Sequence, residues 1–439
     1  MRHFLATVAL GALMIGATPL TSLAETPDNQ LVVATTMSNI LTLDPAAITG
    51  RETVQVLNNI YDTLVQLSPT DRSIQPRLAE KWEVASDRMS IRFHLRKDAK
   101  FASGNPVTAE DVVWSLKRLL TRNLAQSSLL KTRGFSADKA DTLFVAEDVN
   151  TFVLNLPQAD DPSLVLMVLA QNGPGSILDS KTVLENEKDG DLGAGWLTLN
   201  SAGSGPYALT QWASNEYIIL TRNDGYWGEA PAMARVLMRH LPESQSQRLM
   251  LEQGDIDVAY SLLAPDLTAL EASDKVQIES TPGSGFYYLG VSMKDERFAK
   301  PKVREALRYL IDYEGLDKAV MPYYGKLRQR QISTGVMGSL PDPGYKLDIA
   351  KAKALLAEAG YPDGFKTTLR VLSEEPFMKA ATAIQNTLAQ AGIEAELITG
   401  SGDQIYGAMR ERKFELLVGR GGGGQQPHPD NNLRALAYN

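Results

Sequence analysis

Few side chains in this sequence are suited to bond-making chemistry, and they are scattered. Four histidines stand at positions 3, 94, 240 and 428, too dispersed for a metal-type pair, and there is no cysteine. The missing cysteines exclude thiol catalysis, cysteine metal sites, disulfides and a lipid-modified cysteine. Neither a Gly-x-Ser-x-Gly elbow nor a Walker loop occurs, and the tetraglycine at 421–424 is not followed by the Lys-Ser/Thr of a phosphate cradle. Its flanks carry binding chemistry instead. Arg420 offers a planar fork of donors that suits a carboxylate, while Gln425 and Gln426 can donate and accept neutral hydrogen bonds. His428 stands alone beside them, and an isolated histidine is usually solvated rather than a metal ligand. These donors and acceptors suit neutral polar groups and carboxylates, and no cofactor motif is present.

The elements that must position these residues belong to a large globular chain. At 439 residues, with 44% hydrophobic and 22% charged residues, it is long enough for two or three domains of roughly 150 residues each. Arg2 and His3, an apolar run over 4–17, Pro19 and then Ser22-Leu23-Ala24 have the layout of a secretory signal over residues 1–24. That run is shorter than the roughly 20 residues needed to span a bilayer. Removing it takes away Arg2 and leaves 43 basic against 52 acidic residues, a net charge of −9. An acidic exported protein is a poor partner for nucleic acid or an anionic membrane, and without cysteine it carries no lipid anchor. The expected home is the periplasm.

Hydropathy patterns then predict alternating strands and helices. Residues 31–34 form a short apolar strand running into a polar loop through Ser38 and Asn39, and residues 54–67 carry helical spacing. At 90–95, Ile91, Phe93 and Leu95 alternate with Ser90, Arg92 and His94 as in a half-buried strand, and Thr108 with Asp111 has capping-box spacing at the head of a helix. A turn cluster at 203–207 precedes a strand at 217–221 and a helix at 243–253 that stops at Gly254. Another strand starts at Phe286, after the turn-rich 281–285. Helices follow at 301–312, 349–359 and 379–391, with strands at 368–372 and 415–418, in the manner of α/β units. There is no internal repeat.

The block Leu78-Ala79-Glu80-Lys81-Trp82-Glu83-Val84, with Asp87, Ile91-Arg92-Phe93-His94-Leu95-Arg96, Phe101, Gly104 and Val107-Thr108-Ala109-Glu110-Asp111-Val112-Val113, resembles the family 5 extracellular solute-binding proteins of peptide/nickel-type ABC importers. Further matches follow in the same order: Gly203-Ser204-Gly205-Pro206-Tyr207, Asp224-Gly225-Tyr226-Trp227-Gly228, Gly254-Asp255-Ile256-Asp257, Lys302-Val303-Arg304-Glu305-Ala306-Leu307, the run 350–361 and Pro429-Asp430-Asn431. Individually these residues read as structural, Trp82 and Phe93 as core and the glycines at 203, 205 and 254 as turns and caps.

The resemblance implies a mixed α/β fold of the periplasmic binding protein-like type II class, with two lobes, a ligand cleft and an extra domain. Domain I would take 30–67 and 200–280, domain II 68–199 and domain III 281–439. The expected partners are a small peptide or peptide-like solute, enclosed by hinge closure, and an inner-membrane ABC permease, with the protein a monomer. Family members continue past the position of Asn439, so domain III is expected to be incomplete, and a non-functional fragment is one alternative.

In peptide-binding relatives the loop after the last domain III strand carries an aspartate that pairs with the ligand's α-amino group. Here residues 421–428 contain no carboxylate, and Gln425 or Gly424 takes that place. This departure implies a ligand without an exposed primary amine: a blocked peptide, an opine-like conjugate or an oligosaccharide. The open alternative is an acid supplied from elsewhere, with Asp257 as the candidate. By the same resemblance the strand-end loops contribute Thr36, Asn39, Tyr260, Ser261, Phe286 and Tyr287, each equally readable as packing. A metal-chelate or haem binder of the same fold is the other functional alternative.

Overall fold

A computed structural model describes residues 27–48, 50–260, 262–280, 285–332, 338–421, 429, 430 and 433. Along the chain its strands are β1 (Gln30–Thr35), β2 (Val65–Leu67), β3 (Ile74–Pro76), β4 (Ala79–Val84), β5 (Ser90–Leu95), β6 (Phe144–Asp148), β7 (Thr151–Asn155) and β8 (Tyr207–Ala213). They continue with β9 (Tyr217–Arg222), β10 (Arg235–His240), β11 (Val258–Ala259), β12 (Phe286–Val291), β13 (Phe365–Leu372), β14 (Ile393–Gly400) and β15 (Leu416–Gly421).

Three sheets organise these strands. The first has the order β11-β1-β10-β9-β8, and β1 runs parallel to both β10 and β11 although both lie far from it in sequence. The second, β4-β5-β7-β6, is antiparallel, and on β5 the side chains of Ile91, Phe93 and Leu95 are buried while Ser90, Arg92 and His94 stay half-buried. The period-two pattern therefore folds as a strand with one face on a core. The third has the order β12-β15-β13-β14, with β13 parallel to β14 and β15, and β12 antiparallel to β15. A small β2-β3 hairpin adjoins them.

Local signals act where they stand in the sequence. Thr108 and Asp111 form the reciprocal capping box of the helix Ala109–Arg122, and Gly254 closes the helix Ser244–Gln253 in the left-handed conformation at φ 81°. Gly203 and Gly205 serve close approach rather than left-handed φ. A Cβ at Gly203 would stand 1.9 Å from the Ile60 carbonyl oxygen, and one at Gly205 2.5 Å from that of Asn59.

The helix expected over 54–67 is shorter and earlier. It spans Arg51–Ile60, Tyr61 is extended, and residues 65–67 pair as β2 with β3. The reason is Asp62, which is fully buried and accepts from Arg77 Nε at 2.6 Å, Ser204 Oγ at 3.0 Å and Trp227 Nε1 at 2.9 Å. Three donors from distant segments hold this carboxylate in place, and that requires the backbone to leave the helix before it. A second buried knot lies nearby: Arg118 gives Nη1 and Nη2 to the two carboxylate oxygens of Asp44 at 2.8 and 2.7 Å and Nε to the Leu192 carbonyl at 2.7 Å. It ties the loop after β1 to the helix that covers the second sheet.

Candidate ligand cleft

In a parallel arrangement the carboxyl ends of the strands, with the loops that follow them, form the place where a ligand can be held. Both parallel sets point those ends into one cleft of about 3310 Å³. On one wall β1 ends at Thr35 and is followed by Thr36 and Asn39, and β11 is followed by Tyr260, whose backbone N–H donates to the Ala34 carbonyl at 2.9 Å. His240 at the end of β10 sets the path of the loop after β1 by accepting the Met37 N–H on Nδ1 at 2.9 Å. On the other wall β13 ends before Glu374 and β15 carries Arg420, while β12, running the opposite way, brings Phe286 and Tyr287 in at its start.

Thr36, Asn39, Tyr260, Phe286, Tyr287 and Arg420 all line this cleft, and all six are half-buried. Ser261, Gln425 and Gln426 lie outside the described residues, as does His428. Most of the 421–428 loop does too.

The Arg420 guanidinium lies 5.8 Å from the centre of the Tyr287 ring, and that ring in turn packs on Phe377 at 5.2 Å. Its backbone N–H donates to the Tyr406 hydroxyl at 3.1 Å, and burial raises the Tyr406 phenol above its ordinary range. Among the described residues Arg420 forms no ion pair, and it lines the cleft beside the Tyr287 ring. Asp257, the acid anticipated from the sequence, is otherwise engaged: its Oδ2 accepts the Val32 N–H at 2.7 Å and so pins the start of β1.

Two cleft carboxylates have no distinguishing mark in the sequence. Glu374 follows β13 and Glu52 sits in the first turn of the helix Arg51–Ile60. Asn39 Nδ2 donates to Glu374 Oε2 at 3.4 Å across the cleft. Loss of hydration, reinforced by the charge of Glu52, pushes the Glu374 carboxyl above its usual range, against a smaller downward pull from Asn39 and Arg420. Glu374 is exposed at the cleft surface, so the loss of hydration at its carboxylate is partial. The Glu-Glu-Pro that contains it gives no periodic or motif signal, which is why sequence reading passed over it.

Residues 73–439 match the family described as bacterial extracellular solute-binding proteins, family 5 Middle. The chain belongs to this family. The probable D,D-dipeptide-binding periplasmic protein DdpA of Escherichia coli K12 is 30% identical to it over 402 residues, covering 90% of this chain and 75% of that protein. Among solved structures, the periplasmic binding protein DppA of Helicobacter pylori in complex with the peptide STSA is 26% identical with a TM-score of 0.79, covering 92% of this family 5 chain and 80% of that one. AgaA of A. tumefacien R10, solved in complex with agropinic acid, is also 26% identical, with a TM-score of 0.77 and coverage of 92% and 79%. As a family 5 member the chain has the type II periplasmic binding protein fold. No helix among the described residues is long and apolar enough to cross a membrane, and no group of three or more His, Cys, Asp or Glu side chains among them is arranged to hold a metal ion.

The aromatic residues of the cleft yield a direct expectation. Tyr287→Ala removes the ring beside Arg420 and Tyr260→Ala removes a ring from the other wall, and each is expected to weaken ligand binding by about 1–2 kcal/mol, roughly 5- to 30-fold. Calorimetric titration checks this, and unchanged affinity would remove that tyrosine from the site.

Proposed function

We propose that this chain is the periplasmic substrate-binding component of an ABC importer, taking a small peptide-like solute into the cleft and delivering it to an inner-membrane permease as a monomer. It is a binding protein and not an enzyme. The observation that carries the reading is the Arg420 guanidinium, without an ion pair among the described residues, set beside Tyr287 in a cleft whose walls are the strand ends of two separate sheets. A guanidinium fork over an aromatic plate recognises a carboxylate, the group shared by a peptide and an opine such as agropinic acid. Peptide or opine capture by the similar proteins supports the same class here, and the secretory pattern of residues 1–24 supports the periplasm.

Delivery follows from the geometry of two walls. A ligand that touches both favours their approach by its differential affinity for the closed form, and a permease can then distinguish loaded from empty protein. The test is a thermal melt of residues 25–439, alone and with dipeptides, N-blocked peptides, opine-like conjugates and oligosaccharides. A bound ligand at a hundred times its dissociation constant adds about 2.7 kcal/mol to the folded state and raises the midpoint by several degrees. A cooperative melt that no member of the panel moves would count against the reading.

A further inference from the structure

We propose that Glu374 and Glu52, from opposite walls of the cleft, form the subsite for an ammonium group of the ligand, with Arg420 beside them taking its carboxylate, so that the captured solute is zwitterionic. The inference rests on the reading of the cleft as a solute site and names the chemistry of what fills it.

Geometry brings the two carboxylates to one place. A Cβ on Gly50 would meet Glu52 Oε2 at 3.4 Å and Asn39 Cβ at 4.0 Å, so Glu52 and Asn39 flank the same turn. From that turn Asn39 reaches over to Glu374 at 3.4 Å. The groups that act on Glu374 are therefore Glu52 at the start of its helix, Asn39 in the loop after β1, Arg420 on β15 and the Tyr406 hydroxyl on the helix Gly402–Arg410.

Arg420 is the single cation of that set, and it too lines the cleft. Among the described residues neither Glu374 nor Glu52 forms an ion pair. The charge of Glu52 thus acts against that of Glu374, and cleft walls that carry like charges resist approach until a positive group enters. An ammonium between them removes the repulsion and gains two acceptors, so the same contact supplies both specificity and a preference for the closed form. A solute with only hydroxyl groups would leave both carboxylates without a counter-charge, which selects against it.

The test uses the protein purified after export, as wild type, E374Q and E52Q, in thermal melts with L- and D-alanyl-alanine and the N-acetyl form of each. The free-amine peptides are expected to raise the wild-type midpoint and the acetylated forms to leave it in place. The affinity for the free-amine peptide should fall roughly 10- to 100-fold in E374Q. Acetylated peptides that stabilise the wild type equally well, or a free-amine shift that survives in E374Q, would overturn the proposal.

If no peptide moves the wild type, solute capture has failed for these probes and the unliganded proteins decide about the carboxylate pair. A folded-state carboxyl raised above its unfolded value costs stability above the folded pKa, and the cost vanishes as pH falls below the unfolded value. E374Q should then melt above wild type near about pH 7.5 and level with it below about pH 4. Equal midpoints at both would show that the two carboxylates do not oppose each other, and the proposal falls.

Discussion

Asp44→Ala is expected to destabilise the folded protein by about 3–5 kcal/mol, the effect of leaving one partner of a buried ion pair without the other. Asp44 and Arg118 are each almost completely buried, at 2% and 3% exposure, and the guanidinium spends both terminal nitrogens on the two oxygens of this one carboxylate. Without Asp44, Arg118 keeps only its bond to the Leu192 carbonyl, and a dehydrated cation remains in the seam between the loop after β1 and the helix Ala109–Arg122. The same change deprives the Ala46 N–H of its acceptor at 3.0 Å. Urea unfolding measures the loss. The double variant Asp44→Ala with Arg118→Met should recover a substantial part of it, because a methionine stem fills the space with no charge to bury. A double variant as unstable as the single one would mean that packing, and not the stranded charge, sets the cost.

Arg420→Ala is expected to leave the fold intact and to weaken binding of a carboxylate-bearing solute by about 1.5–3 kcal/mol, roughly 10- to 150-fold in dissociation constant. Its side chain stacks on Tyr287 and carries no structural ion pair among the described residues, so the denaturation midpoint should change little. Arg420→Lys should restore part of the affinity. It keeps the charge but replaces a rigid two-pronged donor with a single mobile point, which cannot match both oxygens of a carboxylate or lie flat on the ring. Calorimetric titration of the two variants separates geometry from charge, and equal affinity for Lys and Arg would show that charge alone is read.

The two outcomes differ in what the sequence revealed of them. Arg420 is visible as a lone cation in a glycine-rich run, and its chemistry can be named without coordinates. Arg118 is one basic residue among 44 and Asp44 one acid among 52, and nothing local marks them as partners separated by most of a domain. The same holds for the cleft carboxylates. The glycine-rich loop points to a ligand without an amine when read alone, because the loop contains no acid. Among the carboxylates that line the cleft, Glu374 comes from the end of β13 and Glu52 from the start of the helix Arg51–Ile60, two segments that only chain crossings bring together.

By itself the sequence determined whatever depends on a few neighbouring residues. The one-faced strand at Ser90–Leu95, the capping box at Thr108 and the stop at Gly254 follow from side-chain periodicity and backbone preference within a turn or two, and these energies are fixed before any distant contact forms. Motif order likewise identified the family. Tertiary structure decided the rest. It ended the helix at Ile60 because Asp62 has three donors waiting in the Arg77, Ser204 and Trp227 segments, it turned Asp257 into a backbone clamp, and it brought Glu374 and Glu52 to one cleft. A buried or crowded charge takes its energy from partners that lie anywhere along the chain, so its role appears only when those partners are in place.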